Sequence, residues 1–242
     1  MLQQPMMEKL LAMRLNGMAE ALRVQKQDEA ACELSFAGPV REARRSTVDV
    51  AAESGAGTTV ERSEAAAGDI DYRAARGLDK SVIRALTQES VWVRNHENVF
   101  VLGPTGVGKS FVASALAQKA CRDGYSAWYM RAVSLFRELA LARADGSLRT
   151  MLAKIGRIDV LVVDDWAMAP LNENERRDFW EICEDRYQTR STVLTSQVPI
   201  AKWHEQIGDP MLADGILDRL VHNAHRIEMK GDSMRKQAKT AR

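Results

Sequence analysis

At 242 residues, 45% of them hydrophobic, the chain is long enough for one large domain or a domain with an appendage, built round a real core. Its 34 Lys and Arg against 33 Asp and Glu give a formal net charge of +1, which excludes a global pull toward nucleic acid and leaves phosphate contacts to local basic clusters. No stretch of about 18 apolar residues is present to span a membrane, no signal-peptide pattern opens the chain, and Cys32, Cys121 and Cys183 lack metal-ligand spacing and suit a reducing cytoplasm.

From Met6 to Val24 the residues Leu10, Leu11, Leu15, Met18 and Leu22 recur at helical spacing, so residues 1–36 are expected to form a small helical N-terminal domain. The texture then changes. Residues 37–68 contain no Leu, Ile, Met, Phe, Tyr or Trp and are dominated by Ala, Gly, Ser, Thr, Val, Glu and Arg. Such a stretch buries too little apolar surface to offset its ordering entropy, and it reads as a linker. From Asp69 to Arg242 short apolar strands alternate with helical runs, the pattern of an α/β domain with a central parallel sheet.

In that domain Asn98 to Leu102 is expected as a strand, Gly103 to Ser110 as a glycine-rich loop and Phe111 to Arg122 as a helix ending at Gly124. Ser126 to Met130 reads as a strand, Val133 to Ala144 as a helix, Asp159 to Val163 as a buried strand and Asn172 to Gln188 as a long helix. Asn172, with Glu175 three residues on, suits a reciprocal cap. Thr192 to Gln197 is a further strand, Ile200 to Val221 is mostly helical around a turn at Gly208 to Pro210, and Arg226 to Lys230 reads as a last short strand.

Gly103-Pro104-Thr105-Gly106-Val107-Gly108-Lys109-Ser110 satisfies the phosphate-loop pattern G-x-x-x-x-G-K-[ST] in full, between an apolar strand and a helix. The glycines let backbone N–H groups turn inward as a nest for phosphate oxygens, and the following helix adds its positive N-terminal dipole. Lys109 brings a point charge to the β- and γ-phosphates, Ser110 offers a hard oxygen to Mg²⁺, and Phe111 begins the helix at the edge of the nucleotide site. Gly103 through Phe111 are therefore the expected ATP-binding residues.

The apolar run Val160-Leu161-Val162-Val163 ends in Asp164 and Asp165. Asp164 is a candidate Mg²⁺ ligand with Ser110, and Asp165 a candidate base for the attacking water. Thr195-Ser196-Gln197 closes the next strand with polar side chains, so Ser196 and Thr195 are candidate contacts to the γ-phosphate or that water. Arg219, at the end of a helical run, has the character of a charge-stabilising guanidinium; an intramolecular pair with Asp218 or Asp214 is the competing reading. His222 and His225 have no accompanying ligand residues and read as packing or surface side chains, and Trp166, Phe179, Trp180, Tyr187 and Trp203 as core or interface anchors. Gly231 to Arg242 reads as a basic tail, with Arg235 a candidate for nucleotide or DNA phosphate.

Taken together, these runs resemble one family. Leu11-Ala12-Met13-Arg14-Leu15-Asn16-Gly17-Met18, the phosphate loop, Val163-Asp164-Asp165-Trp166, Glu184-Asp185-Arg186-Tyr187, Trp203-His204-Glu205 and His222-Asn223-Ala224-His225-Arg226-Ile227 resemble IstB-like transposition helpers, which are AAA+ ATPases related to helicase loaders of the DnaC type. The resemblance implies a P-loop AAA+ core in which the short C-terminal tail leaves the helical lid reduced or absent. It implies ATP and Mg²⁺ as ligands, hydrolysis in a homo-oligomer on duplex DNA, and the transposase of the same insertion element as partner, engaged with DNA through the N-terminal domain. Arg219 then resembles a finger offered to a neighbouring subunit. AAA+ proteins usually carry Glu where Asp165 stands. Helicase loading is the alternative within the class. A P-loop kinase is the alternative outside it, opposed by the Asp164-Asp165 pair and Arg219.

Residues 37–68 depart from the family, which has leucine-rich basic helices there. Besides a linker, a reading frame shifted across this stretch and restored near Asp69 accounts for the Ala, Gly, Arg and Val richness, as expected of a GC-rich gene. Coding DNA whose alternative frames encode no leucine- and arginine-rich helix here would rule out the shift.

Overall fold

Five short segments become the strands, and the computed structural model of the chain, which describes residue 70 and residues 77–234, assembles them into one parallel sheet. The expected N-terminal helices, residues 37–68 and the tail from Arg235 lie outside the described residues. The elements are α1 (Lys80–Thr87), α2 (Val91–Arg94), β1 (Asn98–Leu102), α3 (Lys109–Arg122), β2 (Ala127–Arg131), α4 (Ala132–Asp145), α5 (Leu148–Arg157), β3 (Val160–Asp164), α6 (Glu173–Arg186), β4 (Ser191–Ser196), a 3₁₀ turn (Ile200–Lys202), α7 (Trp203–Ile207), α8 (Pro210–Val221) and β5 (Ala224–Glu228).

The strand order is β2-β3-β4-β1-β5, with every neighbour parallel. Both faces are covered, so β1, β3 and β4 are buried along their whole length, the hydroxyl residues of β4 included. Phe100, Leu102, Leu161, Val163 and Leu194 face a core shared with α4 to α8, in which Trp166 stacks on Phe179 with ring centroids 4.0 Å apart and Trp203 meets Phe100 edge-on at 5.1 Å. Val99, Val101, Val160, Val162, Val193 and Ile227 face the second core, built with α1, α2 and the alanine-rich inner face of α3.

Local signals set the helix ends. Asn172 accepts from the Glu175 N–H at 3.0 Å while Glu175 returns a bond to the Asn172 N–H at 2.8 Å, the reciprocal cap expected from the sequence. Asp209 caps α8 at the Leu212 N–H with Pro210 at its first position.

Two differences from the sequence reading have physical causes. The last strand begins two residues earlier than expected, because Ala224 pairs with Asn98 and the β1 ladder, rather than the apolar content of β5, sets its start. The helices α1, α2 and α5 are absent from the sequence reading, although in α5 Leu148, Met151, Leu152 and Ile155 carry helical spacing and pack on the first core.

At the end of the sheet where the strands begin, a buried polar group holds the layers together. Arg186, at the last turn of α6 and 2% exposed, donates to the carbonyls of Ile155 at 2.8 Å, Ile158 at 2.7 Å and Ser191, and to the Thr192 hydroxyl at 3.1 Å. Nearby, the Asn98 amide donates to the Leu220 carbonyl at 3.1 Å, and its oxygen accepts from the Thr192 N–H at 2.9 Å. Thus α5, α6, α8, β1 and β4 are cross-linked by satisfied hydrogen bonds.

Candidate nucleotide-binding site

The opposite end of the sheet, where strands finish, carries the candidate functional residues. Because β1 and β4 are neighbours in space while the chain runs from β1 to the β2 edge and back, the loops after β1, β3 and β4 converge there. The loop Gly103 to Gly108 turns with positive φ at all three of its glycines, 148°, 84° and 99°. Gly103 and Gly106 are needed for a second reason, close packing with the chain beyond β5. A Cβ on Gly103 would lie 2.3 Å from the Met229 carbonyl oxygen, and one on Gly106 would lie 2.2 Å from the Ser233 Oγ. The Met234 N–H also donates to the Gly106 carbonyl at 2.9 Å, so residues 229–234 brace the loop.

At the mouth of this loop Lys109 is 6% exposed and donates to the Pro104 carbonyl at 2.9 Å. Burial lowers its pKa, opposed by the charges of Asp165 and Asp164, so both carboxylates act on this ammonium. Ser110 donates to Asp164 Oδ1 at 2.9 Å, which leaves the hydroxyl oxygen's lone pairs available to a hard cation.

Asp164 is 2% exposed and the focus of three hydroxyls: Ser110 and Thr195 donate to Oδ1, and Tyr129 donates to Oδ2 at 2.5 Å. Burial, followed by the bond to Asp164, raises the Tyr129 pKa far above its ordinary value and keeps the phenol a donor. Asp165 follows in the left-handed region at φ 57°, which Asp tolerates better than most residues, and its N–H donates to the Thr195 hydroxyl at 3.0 Å.

The expected residues do not all meet. Ser196 was a candidate phosphate contact, but its buried hydroxyl donates to the Trp166 carbonyl at 2.7 Å and accepts from the Val198 N–H at 3.1 Å, tying β4 to the turn after β3. The polar side chain that does reach the loop is Gln197, whose Oε1 accepts from the Thr105 hydroxyl. Nothing local in the sequence singles out Gln197 within its polar run or Tyr129, since a tyrosine in an amphipathic edge strand carries no motif.

Arg219 lies elsewhere, among α6 and α8. It pairs with Glu184, sits 4.3 Å over the Trp180 ring and 5.8 Å from the Tyr187 ring, and has Asp218 at 3.9 Å. Its pKa is raised, chiefly by the bond to Glu184. Of the competing intramolecular pairs, Asp218 is thus the weaker contact beside Glu184, and Asp214 instead faces His204 at 3.2 Å. Gly215 makes the arrangement possible, since a Cβ there would lie 2.0 Å from Trp180. His222 and His225 approach single carboxylates, Asp218 at 2.8 Å and Glu97 at 2.7 Å, and no group of three or more His, Cys, Asp or Glu that could hold a metal occurs among the described residues.

A phosphate loop braced on its own chain, with Lys109, Ser110 and an acidic strand end converging on it, sets the terms for comparison with known proteins. Residues 8–242 match the family described as "IstB-like ATP binding protein". The chain belongs to the IstB-like family. It is 50% identical over 175 residues to the insertion sequence ATP-binding protein y4pL of Sinorhizobium fredii, covering 72% of this chain and 71% of that one. The IS21 ATP-binding protein of Pseudomonas aeruginosa is 36% identical over 165 residues, covering 68% and 62%.

Among solved structures this IstB-like chain shares its fold with DnaI, at a TM-score of 0.58 and 22% identity over 69% of this chain and 91% of that one. It also shares it with the DnaC helicase loader, at 0.54 and 19% over 67% and 96%. A DNA replication initiation factor matches at 0.56 and 17%, over 74% of this chain, which spans 54% of that protein's length. The five-stranded parallel sheet with flanking helices is therefore the P-loop AAA+ fold. No helix among the described residues is long and apolar enough to cross a membrane.

Proposed function

We propose that this IstB-like protein binds ATP with Mg²⁺ and hydrolyses it as a homo-oligomer on duplex DNA in the cytoplasm, serving the transposase of its own insertion element. The observation that carries the reading is the convergence of Ser110, Lys109 and Thr195 on Asp164 and Asp165 beside a glycine loop. The residues fit a magnesium triphosphate: a loop of positive-φ glycines suits phosphate oxygens, a nearly buried lysine suits their charge, and a serine hydroxyl with a buried carboxylate suits a hard cation. The bound cation would neutralise charge gathering on the transferring phosphoryl group.

Each residue has its own task. Gly103 to Phe111 hold the phosphates, Lys109 neutralises them, and Ser110 with Asp164 holds the metal. Asp165 orients the attacking water and accepts its proton, while Gln197, joined to Thr105, takes the phosphate-sensing position expected of Ser196. Arg219 makes its contacts away from the loop of its own chain, which supports a role toward a neighbouring subunit's nucleotide once Glu184 yields it. The names of the insertion-sequence relatives support the transposition setting over helicase loading or a kinase.

The test is ATP turnover with and without duplex DNA, followed by subunit mixing. DNA is expected to stimulate turnover. Asp165→Asn and Arg219→Ala are each expected to lower it by about a thousandfold while leaving ATP binding intact, and mixing the two should restore part of the activity. Turnover that ignores DNA, or mixtures that stay inactive, would count against the assembled ATPase.

A further inference from the structure

Tyr129 has no part in the roles above, yet it makes one of the shortest polar contacts at the site. It is the third residue of β2, in register with Val162 of β3, and its ring packs half-buried against the core on the α3 side. Its hydroxyl reaches Asp164 Oδ2 at 2.5 Å, whereas Ser110 and Thr195 both address Oδ1. The two oxygens of one buried carboxylate are thus treated differently.

An aspartate carboxylate turns about a broad, two-fold torsion, so bonds to one oxygen alone hold its plane loosely. A donor on the other oxygen fixes the plane. We propose that Tyr129 is a positioning residue for metal-linked nucleotide binding, its hydroxyl holding Asp164 Oδ2 so that Oδ1 stays turned toward Ser110. The proposal rests on the nucleotide reading given above and adds to it a residue outside the phosphate loop and the acidic pair. Tyr129 comes from the strand beside β3, so the geometry of the acidic site depends on the β2–β3 pairing as well as on the loop.

The experiment is a Mg²⁺ titration of binding to a fluorescent ATP analogue, with a parallel measurement in EDTA. Tyr129→Phe keeps the ring and deletes the donor. The Mg²⁺ concentration for half-maximal binding is expected to rise about tenfold, the loss of one hydrogen bond to a charged group, while affinity in EDTA stays at the wild-type value. Tyr129→Leu, which removes the ring as well, should show a shift of similar size, because the hydroxyl carries the effect. The midpoint does not depend on the folded fraction, so a destabilised variant still reports. A Tyr129→Phe curve superposing on wild type, a shift seen only in Tyr129→Leu, or an equal loss in EDTA would overturn the proposal. Wild-type binding that is strong but indifferent to Mg²⁺ would instead remove the metal reading beneath it, and the proposal with it.

Discussion

The two ends of the parallel sheet bury polar groups of similar strength for different ends. Where the strands begin, Arg186 spends its donors on the Ile155, Ile158 and Ser191 carbonyls and the Thr192 hydroxyl, and Asn98 is bonded on both sides of its amide. These partners are mostly main-chain atoms fixed by the fold. Where the strands finish, Asp164 is held by the hydroxyls of Ser110, Thr195 and Tyr129, each of which keeps oxygen lone pairs for another partner. A closed network of carbonyls can do little but hold layers together; one of hydroxyls can exchange partners when a ligand arrives.

Substitutions at the two ends should therefore separate stability from binding. Arg186→Met leaves several buried carbonyls without donors and is expected to cost about 4 kcal/mol, lowering Tm by roughly 10 °C, with little change in ATP affinity of the molecules that remain folded. Thermal melts and nucleotide titration of the same sample measure both. Lys109→Ala should do the reverse: ATP affinity falls by about a hundredfold, the loss of a charge-assisted contact to phosphate, while Tm changes little. A large fall in Tm for Lys109→Ala would erase the distinction between the ends.

Smaller changes sharpen it. Thr192→Val and Thr195→Val remove one hydroxyl at each end of the same strand. The first is expected to lower stability by about 1 kcal/mol without touching Mg²⁺-dependent binding; the second should weaken that binding about threefold to tenfold with little effect on Tm. Equal behaviour of the pair would contradict the comparison.

The smallest effect is in pH. Burial lowers the Lys109 pKa below its ordinary value of 10.5, so as pH rises through that lowered value ATP binding must take up a proton. Affinity should then fall as pH rises, until Lys109 loses its proton in the ATP-bound chain as well. In the free chain the sign is opposite, because the unfolded lysine holds its proton more tightly, and folding stability rises with pH between that lowered value and 10.5. Isothermal titration and denaturant melts from neutral to alkaline pH distinguish the two slopes.

What the sequence made legible follows the same division. The phosphate loop, the strand ending at Asp164 and the reciprocal cap at Asn172 are contiguous in the chain, so short-range spacing was enough to find them. Arg186 was visible as part of a family run, but its task as a buried tie was not, because its acceptors are spread over α5, the turn before β3 and β4. Tyr129 and Gln197 acquire their positions only when β2 lies beside β3 and the end of β4 beside the loop after β1. Ser196 shows the converse: a polar residue at the right strand end, turned by one step of strand alternation into the protein. The helical character of residues 1–36 and the departure at residues 37–68 remain expectations from the sequence.

The central claim is that the loop beginning at Gly103 captures a magnesium triphosphate through Lys109. Calorimetric titration of the full chain with ATP, with Mg²⁺ present and again in EDTA, tests it directly. The account predicts saturable binding near one ATP per chain, weakened without Mg²⁺ and about a hundredfold weaker in Lys109→Ala. An absence of heat from the folded wild-type chain, or binding unchanged in Lys109→Ala, would contradict it.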